Sequence, residues 1–385
     1  MRVIDTPELH AFRAACRDWL AENTPRAPRP PQGEAMRDFD LAWQRKQFEG
    51  GWAGVSWPAE YGGRGLSVLE QLIWHEEYAA AGAPPSGSMF VALSHAGPTL
   101  IVAGSAAQKA RHLPPILRGE ENWCQGFSEP GAGSDLASLT CRAQIDGDDL
   151  VVSGTKIWTS YGNLARWQEL LVRTDSARPR HRGISWVICD MKSPGIDIRP
   201  IRAMSGLTHF CQVFYDNVRV PLTNVVGALH EGWRVAMTTL GFERGTGTIA
   251  HQIELARVVD RLIEAVRTAP GFGAEATMAE LAQLRAEVMA LRALTAVSVS
   301  RGLREAVPGS EGNIVALYFG ELTRRVHAKA LEVLGAGGLL RGGDHDWPLQ
   351  YLESFKWAIG GGTSEMRRNA IGERVLGLPK APASS

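Results

Sequence analysis

Cysteine is scarce in this 385-residue chain, and its placement argues against two kinds of scaffold. The five cysteines are scattered, odd in number and free of any Cys-x-x-Cys pair. Small disulfide-held domains and structural zinc sites usually carry paired, closely spaced cysteines. The sequence therefore favours a protein of a reducing compartment without a metal site, and we expect it to be cytoplasmic.

An excess of either charge and a long apolar run are also missing. Lys plus Arg and Asp plus Glu both total 41, so no overall basic field would attract nucleic acid or anionic lipid. No run approaches membrane-spanning length, and the first residues show no basic stretch followed by an apolar one. We expect neither a nucleic-acid partner nor a membrane segment.

The apolar spacing changes twice along the chain, which predicts an α–β–α order. Helical spacing is found in three early segments: 7–24, 66–82 and 97–118. Between 123 and 227, short β-branched and aromatic runs alternate with Gly, Pro and Asp turns. Helical spacing then returns in five segments: 233–241, 248–267, 280–301, 313–335 and 363–377. The predicted domains are 1–122, 123–227 and 228–385.

A glycine cluster at 131–135 (GAGSD) invites a nucleotide interpretation. It lacks the third glycine of the dinucleotide fingerprint, and no clear βαβ unit surrounds it. Taken alone, this cluster is a glycine-rich turn between strands.

The surrounding segments give the cluster a more specific meaning. Residues 123–135 (WCQGFSEPGAGSD) resemble the signature of the acyl-CoA dehydrogenases, and other family patterns occur in the expected order at 57–65, 154–160, 214–221 and 362–365. The resemblance covers nearly the whole chain. It implies an α+β fold with an N-terminal helical domain, a middle β-barrel-like domain and a C-terminal four-helix bundle.

The resemblance also implies FAD. The implied FAD-binding residues are Gln125, Phe127, Ser128, Gly133, Ser134, Trp158, Thr159, Ser160, Phe272, Gly335, Gly338, Thr363 and Glu365. Glycine permits close backbone approach to the cofactor, and hydroxyls can bond its ring edge and pyrophosphate. Trp158 would pack on one flavin face, with Thr159 and Ser160 donating towards N5. Without its neighbours, Trp158 would be read as an ordinary core aromatic.

Catalysis in this family needs a carboxylate to take the α-proton of an acyl thioester. Many members carry a Glu directly before a Gly-Thr pair, where this chain has Gly361. Branched-chain (isovaleryl-CoA) and long-chain members place the base on a helix before an arginine, which Glu243-Arg244 resembles. Glu243 is then the predicted base and Arg244 its neighbour in the pocket, while the Gly361 N–H still serves the thioester carbonyl. Without the family resemblance, Glu243-Arg244 would be interpreted as an exposed Glu–Arg pair on a helix.

One departure concerns FAD binding between subunits. Members often have an arginine near a Phe-Gly pair, but here Ala269 stands at that position before Phe272-Gly273. Arg267 could compensate. Otherwise FAD binds more weakly, or another chain supplies the contact.

Three functions stay open. The first is an acyl-CoA dehydrogenase, tolerant of branched or bulky acyl groups because Gly361 leaves room, with an electron-transferring flavoprotein as acceptor. The second is a flavin oxidase or hydroxylase, and the third a non-catalytic subunit of a heteromeric dehydrogenase. A homotetramer or homodimer is expected, with a heteromer as the alternative. The sequence does not identify the acyl chain, and it does not decide between a CoA thioester and a carrier-protein thioester.

Overall fold

The computed structural model describes residues 6–178, 180–242, 247–268, 275–302, 312–342 and 345–380. The chain divides into two compact units after Phe242. Among the described helices, none is both long and apolar enough to cross a membrane.

The first unit begins with helices. They are α1 (Pro7–Asn23), α2 (Gly33–Glu49), α3 (Val68–Ala80), α4 (Gly97–Ala103) and α5 (Ala106–Leu117). Helix α2 was not predicted, because its buried face mixes polar and apolar side chains: Met36, Asp40, Trp43 and Gln44. The carboxylate of Asp40 is paired with Arg29 at 2.6 Å, which lets a charge occupy that face.

The single helix predicted over 97–118 is two helices. The chain leaves the first at Gly104, and Ser105 starts the second with a capping box in which Ser105 and Gln108 bond each other's backbone N–H. A π-helical turn, Ala92–Ala96, runs directly into α4. Such turns are rare and are often found at functional sites.

The middle of the unit is one sheet of eight strands. They are β1 (Trp123–Gly126), β2 (Arg142–Asp146), β3 (Asp149–Ser160), β4 (Trp167–Arg173), β5 (Ile184–Asp190), β6 (Ile196–Ile201), β7 (Phe210–Pro221) and β8 (Val225–Val226). Their order is β6-β7-β3-β2-β4-β5-β8, with β1 parallel to β4. Tyr215 of β7 donates to Gln168 of β4 at 2.5 Å although two strands lie between them, so the sheet curls around a shared core.

The first unit ends with α6 (Gly232–Phe242). This helix packs on α4, β5 and the π-helical turn, although its sequence spacing grouped it with the later helices. Gly232 allows that contact, because an added Cβ would lie 2.2 Å from the backbone nitrogen of Trp186.

The second unit is helical. It contains α7 (Gly247–Thr268), α8 (Glu275–Gly302), α9 (Gly312–Gly338), α10 (Trp347–Ser354) and α11 (Ser364–Arg374). The three long helices share an apolar core, and α10 and α11 pack on α9. The predicted α+β class, with helical ends and a middle sheet domain, is confirmed.

Candidate functional site

The signature segment starts as β1, and its Gln125 side chain is held by buried polar groups. The Gln125 amide donates to Glu169 Oε1 at 2.8 Å and lies 3.3 Å from His95 Nδ1. Glu169 is fully buried on β4, opposite Gln125 in the ladder, and His95 belongs to the π-helical turn. The start of the segment is thus fixed from two sides.

A buried ion pair holds the turn that follows β1. Lys156 Nζ donates to Glu129 Oε1 at 2.8 Å and to the Phe127 carbonyl at 3.0 Å. The other Glu129 bonds come from the Thr140 and Cys141 backbone N–H groups, at 2.7 and 2.9 Å. Burial alone would raise the pKa of the Glu129 carboxyl, but the Lys156 charge and these donors outweigh burial and lower it.

The turn itself is closed by its own backbone. Glu129 and Ala132 exchange two backbone hydrogen bonds of 3.0 Å, which leaves Gly131 at an exposed tip. A Cβ added at Gly131 or Gly133 would meet nothing within 4 Å. The backbone there, with Ser134 beside it, is open to approach by a ligand.

Strand β3 carries a β-bulge at Trp158. Lys156 pairs with Val213 and Thr159 with Cys211, so two residues of β3 face one of β7. The bulge keeps both Lys156 and Thr159 pointing into the core, at 0% exposure. Trp158 takes a left-handed backbone, with φ 61°, and its side chain turns out to 57% exposure.

The bulge and the signature turn are joined. Ile157 N donates to the Ser128 carbonyl at 2.9 Å, and the Trp158 and Phe210 rings form a T-shaped pair with centroids 6.0 Å apart. Of the two predicted hydroxyl donors, the Thr159 side chain lies in the core and Ser160 is half-buried. An exposed indole ring beside open backbone donors fits a planar aromatic cofactor that carries phosphate.

Helix α6 leads towards the predicted base and is tied down by two buried hydroxyls. Thr239 donates to the Val235 carbonyl at 3.1 Å, so Thr99 of α4 is the donor in the 2.9 Å bond between the two threonine oxygens. Glu243 and Arg244 follow four and five positions after Thr239 and lie outside the described residues. The meeting of Glu243 with Gly361 stays a prediction.

In the second unit, the predicted substrate loop has an unusual backbone. Gly361 and Gly362 have φ of 66° and 111°, values that favour glycine. Thr363 then caps α11 by accepting from Met366 N at 3.3 Å. Glu365 lies in the exposed first turn, where its own N–H, together with Thr363, lowers the pKa of the carboxyl.

The other predicted inter-subunit residues are less informative. Gly335 breaks α9 with φ 51° and ψ −134°, and Gly338 is the last residue of that helix. Arg267 stands exposed near the end of α7, 3.8 Å from Glu264. Phe272 and Ala269 lie outside the described residues.

Sequence reasoning missed Glu129 and Lys156, although a signal was present. Lys156 falls in step with Leu150 and Val152, which face the core from the same strand. A charge at an inward-facing position needs a buried partner, and Glu129 was one of two acids within segment 123–135. His95 and Glu169 carried no comparable signal, because their contact joins a helix to a strand 74 positions away.

Comparison with known protein families then decides the relationship. Three family models match in order: the acyl-CoA dehydrogenase N-terminal domain at residues 6–120, the middle domain at 124–218 and the C-terminal domain at 230–376. The chain belongs to the acyl-CoA dehydrogenase family. It is therefore an oxidoreductase, as predicted, and flavin-dependent dehydrogenation fits its site.

Individual acyl-CoA dehydrogenases resemble it over their full length. Acyl-CoA dehydrogenase IpdE1 of Mycobacterium tuberculosis is 38% identical, over 97% of this chain and 98% of the relative. The solved Tcur3481-Tcur3483 steroid ACAD is 31% identical with a TM-score of 0.88, over 99% and 100% of the two chains. The ChsE4-ChsE5 complex from Mycobacterium tuberculosis is 29% identical with a TM-score of 0.84, over 99% and 100%.

Proposed function

We propose that this acyl-CoA dehydrogenase oxidises CoA thioesters with bulky acyl groups, including steroid-derived ones. The observation that carries this is Gly361: a residue without a side chain stands where many relatives have the catalytic acid. Its φ of 66° lies in the left-handed region, which favours glycine at this position. The resemblance to a steroid ACAD supports the same substrate class.

The chemistry divides between two carbons of the acyl chain. Glu243 takes the proton from Cα, and the Gly361 N–H donates to the thioester oxygen, where negative charge develops. Bound FAD would supply the acceptor for the hydride that leaves Cβ, so that a Cα=Cβ bond forms. Trp158 would pack against the flavin ring, and Ser160 together with the backbone of 128–134 would bind its polar edge and phosphates.

A basic loop favours CoA over a carrier protein as the thiol. Between β4 and β5, the exposed side chains of Arg178, Arg180, His181 and Arg182 lie within five positions. Arg180 pairs with Asp135, directly after Gly133-Ser134, and Arg173 holds the loop by donating to the carbonyls of Arg180 and Arg182 at 3.0 and 3.1 Å. Cations here suit the several phosphates of CoA.

Two thioesters of one acyl group test that choice. An acyl-CoA should have a lower KM than the acyl-pantetheine thioester, which lacks the nucleotide phosphates. Arg182→Gln should raise the KM of acyl-CoA alone. Equal KM values for both thioesters in the wild type would argue against the loop.

The chain also offers a surface for assembly. On α8, the side chains that face away from the core form an apolar stripe: Ala282, Ala286, Met289, Ala290, Ala293 and Val297. Met289 is 60% exposed. A continuous apolar face on one helix is a common contact surface between chains. It supports the proposal that this protein forms a homo-oligomer, or a heteromer with a related chain, through α8.

A second candidate function is a non-catalytic subunit of a heteromeric dehydrogenase. Ala269 at the family's arginine position favours it, as do the two-component ACAD relatives. Light scattering and FAD uptake of the purified chain separate the two: a yellow homo-oligomer supports the enzyme, and a colourless chain that takes up FAD only with a partner supports the subunit. An electron-transferring flavoprotein is the proposed acceptor, and the five buried free thiols suit a cytoplasmic location.

The main test is anaerobic mixing with a panel of acyl-CoAs, following loss of flavin absorbance. Steroid-derived and branched thioesters should reduce the flavin faster than short straight chains. A strict preference for short straight chains would contradict the substrate class, and rapid reoxidation by O₂ would point to an oxidase.

A further inference from the structure

Arg367 is a buried cation beside the loop that carries Gly361. The residue is 8% exposed. Its guanidinium donates to three backbone carbonyls: Nη1 to Trp357 at 2.9 Å and to Ala316 at 3.3 Å, and Nη2 to Gly360 at 2.8 Å. Burying a guanidinium is unfavourable unless hydrogen-bond acceptors replace the lost water, and these three carbonyls provide that replacement.

The guanidinium is itself held rigidly. Ala316 lies on α9 and Trp357 on a 3-10 turn, Phe355–Ala358, that packs on the same helix. The backbone N–H of Arg367 donates to Thr363 O at 2.9 Å, in the first turn of α11. The planar guanidinium is therefore held in a fixed orientation, from which Nη2 donates to the Gly360 carbonyl.

Fixing the Gly360 carbonyl also fixes the next N–H. The described peptide bonds are all trans, and in a trans peptide the C=O and N–H of one unit point in opposite directions. Since the Gly360 oxygen is turned towards Arg367, the Gly361 N–H is turned away from it. Within the described part of the chain, that N–H donates to no other group.

The loop needs such a restraint because of its composition. Residues 360–362 are three glycines, which lose more conformational freedom on ordering than any other residues. Without a hydrogen bond from outside the loop, an N–H donor on so flexible a backbone would not keep a fixed orientation. A charged donor on the carbonyl also polarises the peptide and strengthens its N–H as a donor.

We infer that Arg367 is a positioning residue for the reaction: it aims and strengthens the Gly361 N–H that binds the thioester carbonyl. This inference rests on the proposed function, in which that N–H meets the developing negative charge. Arg367 does not touch the substrate; it acts through one peptide plane.

Infrared spectroscopy of a bound thioester tests this role. The probe is an acyl-CoA analogue with sulfur in place of the β-carbon, labelled with ¹³C at the carbonyl, which binds but cannot transfer a hydride. Wild-type protein should lower the carbonyl stretching frequency, Arg367→Lys should lower it less, and Arg367→Gln least. Flavin reduction by a normal substrate should fall about tenfold or more in Arg367→Gln, with KM little changed.

The matched control is Arg368→Gln, one position along α11. Arg368 is 53% exposed and pairs with Glu321 on the surface, so this variant should keep the wild-type frequency and rate. Thermal melts identify which variants fold, and Arg367→Lys, which keeps the charge, serves if Arg367→Gln does not. A wild-type frequency in either folded Arg367 variant would overturn the role of Arg367 alone, whereas no shift in wild-type protein would overturn the proposed carbonyl contact as well.

Discussion

The two glycine-rich segments of this protein, 131–133 and 360–362, use glycine for different reasons. Gly131 and Gly133 have ordinary backbones and face open space, whereas Gly361 and Gly362 have positive φ values. In both places a buried cation from another element grips a nearby carbonyl: Lys156 holds Phe127 O, and Arg367 holds Gly360 O. Glycine leaves the backbone of the first segment open to a ligand, and in the second it permits positive φ values. A side chain added to the first segment should therefore hinder ligand binding, whereas one added to the second should strain the backbone.

The largest effect should come from removing the proposed base while leaving both segments intact. Glu243→Gln keeps the size of the side chain but cannot take a proton, so flavin reduction by acyl-CoA should fall on the order of 10²–10⁴-fold. FAD content should be unchanged. Stopped-flow absorbance measures the rate, and Glu332→Gln, which changes an exposed acid on α9, is the control. Unchanged reduction in Glu243→Gln would eliminate it as the base.

The next effect should come from breaking the anchor of the first segment. Lys156→Met leaves the Glu129 carboxylate buried without its cation, which should lower the free energy of unfolding by about 3–5 kcal/mol. Urea denaturation measures the loss, and Glu129→Gln added to Lys156→Met should recover part of it. Lys329→Met is the control, because its partners Glu280 and Glu332 are exposed and such pairs contribute about 0–1 kcal/mol.

The pH dependence of stability follows from the same pair. The pKa of Glu129 is lowered in the folded protein, so the unfolded chain binds more protons at acid pH. The stabilisation is complete above the unfolded pKa, about 4.3, and is lost as the pH falls through the lower folded pKa. Wild-type protein should therefore lose stability below about pH 4, and Glu129→Gln should flatten that slope. Equal slopes would show that the pair does not stay charged.

The smallest effect should separate binding from folding at the bulge. Trp158→Gly and Trp158→Ala both remove the exposed ring, and each should weaken FAD binding about tenfold through lost stacking. Alanine keeps the cost of the left-handed backbone, so Trp158→Ala should be less stable than Trp158→Gly by about 1 kcal/mol. Fluorescence titration with FAD and thermal melts measure the two quantities. Full FAD affinity in both variants would remove Trp158 from the site.

The sequence predicted the domain order and the family segments because each is a local pattern. Period 3.6 or 2 shows in a short window, and residues 123–135 and 154–160 keep their spacing. Helix α2 was not predicted, because its buried face includes Asp40, whose partner Arg29 lies outside the helix. The bulge at Trp158 was not predicted either, because it depends on pairing with β7 rather than on its own residues.

The anchors could not be predicted for a similar reason. Lys156 reaches Glu129 across 27 positions, and Arg367 reaches Ala316 across 51, so only the folded chain brings them together. The sequence located the glycines of both segments but not what holds them. Positions 243 and 361 were paired through the family resemblance alone, and that pairing stays a prediction.

The most direct test of the central claim, that positions 243 and 361 serve one reaction centre, is flavin reduction by the double variant Glu243→Gln/Gly361→Glu. The new acid should restore reduction lost in Glu243→Gln for straight-chain acyl-CoAs, although the left-handed backbone at 361 costs about 1–2 kcal/mol. It should not restore reduction by bulky acyl-CoAs, whose space it fills. A folded, FAD-loaded double variant that no thioester reduces, or one that prefers bulky acyl groups, would contradict the account.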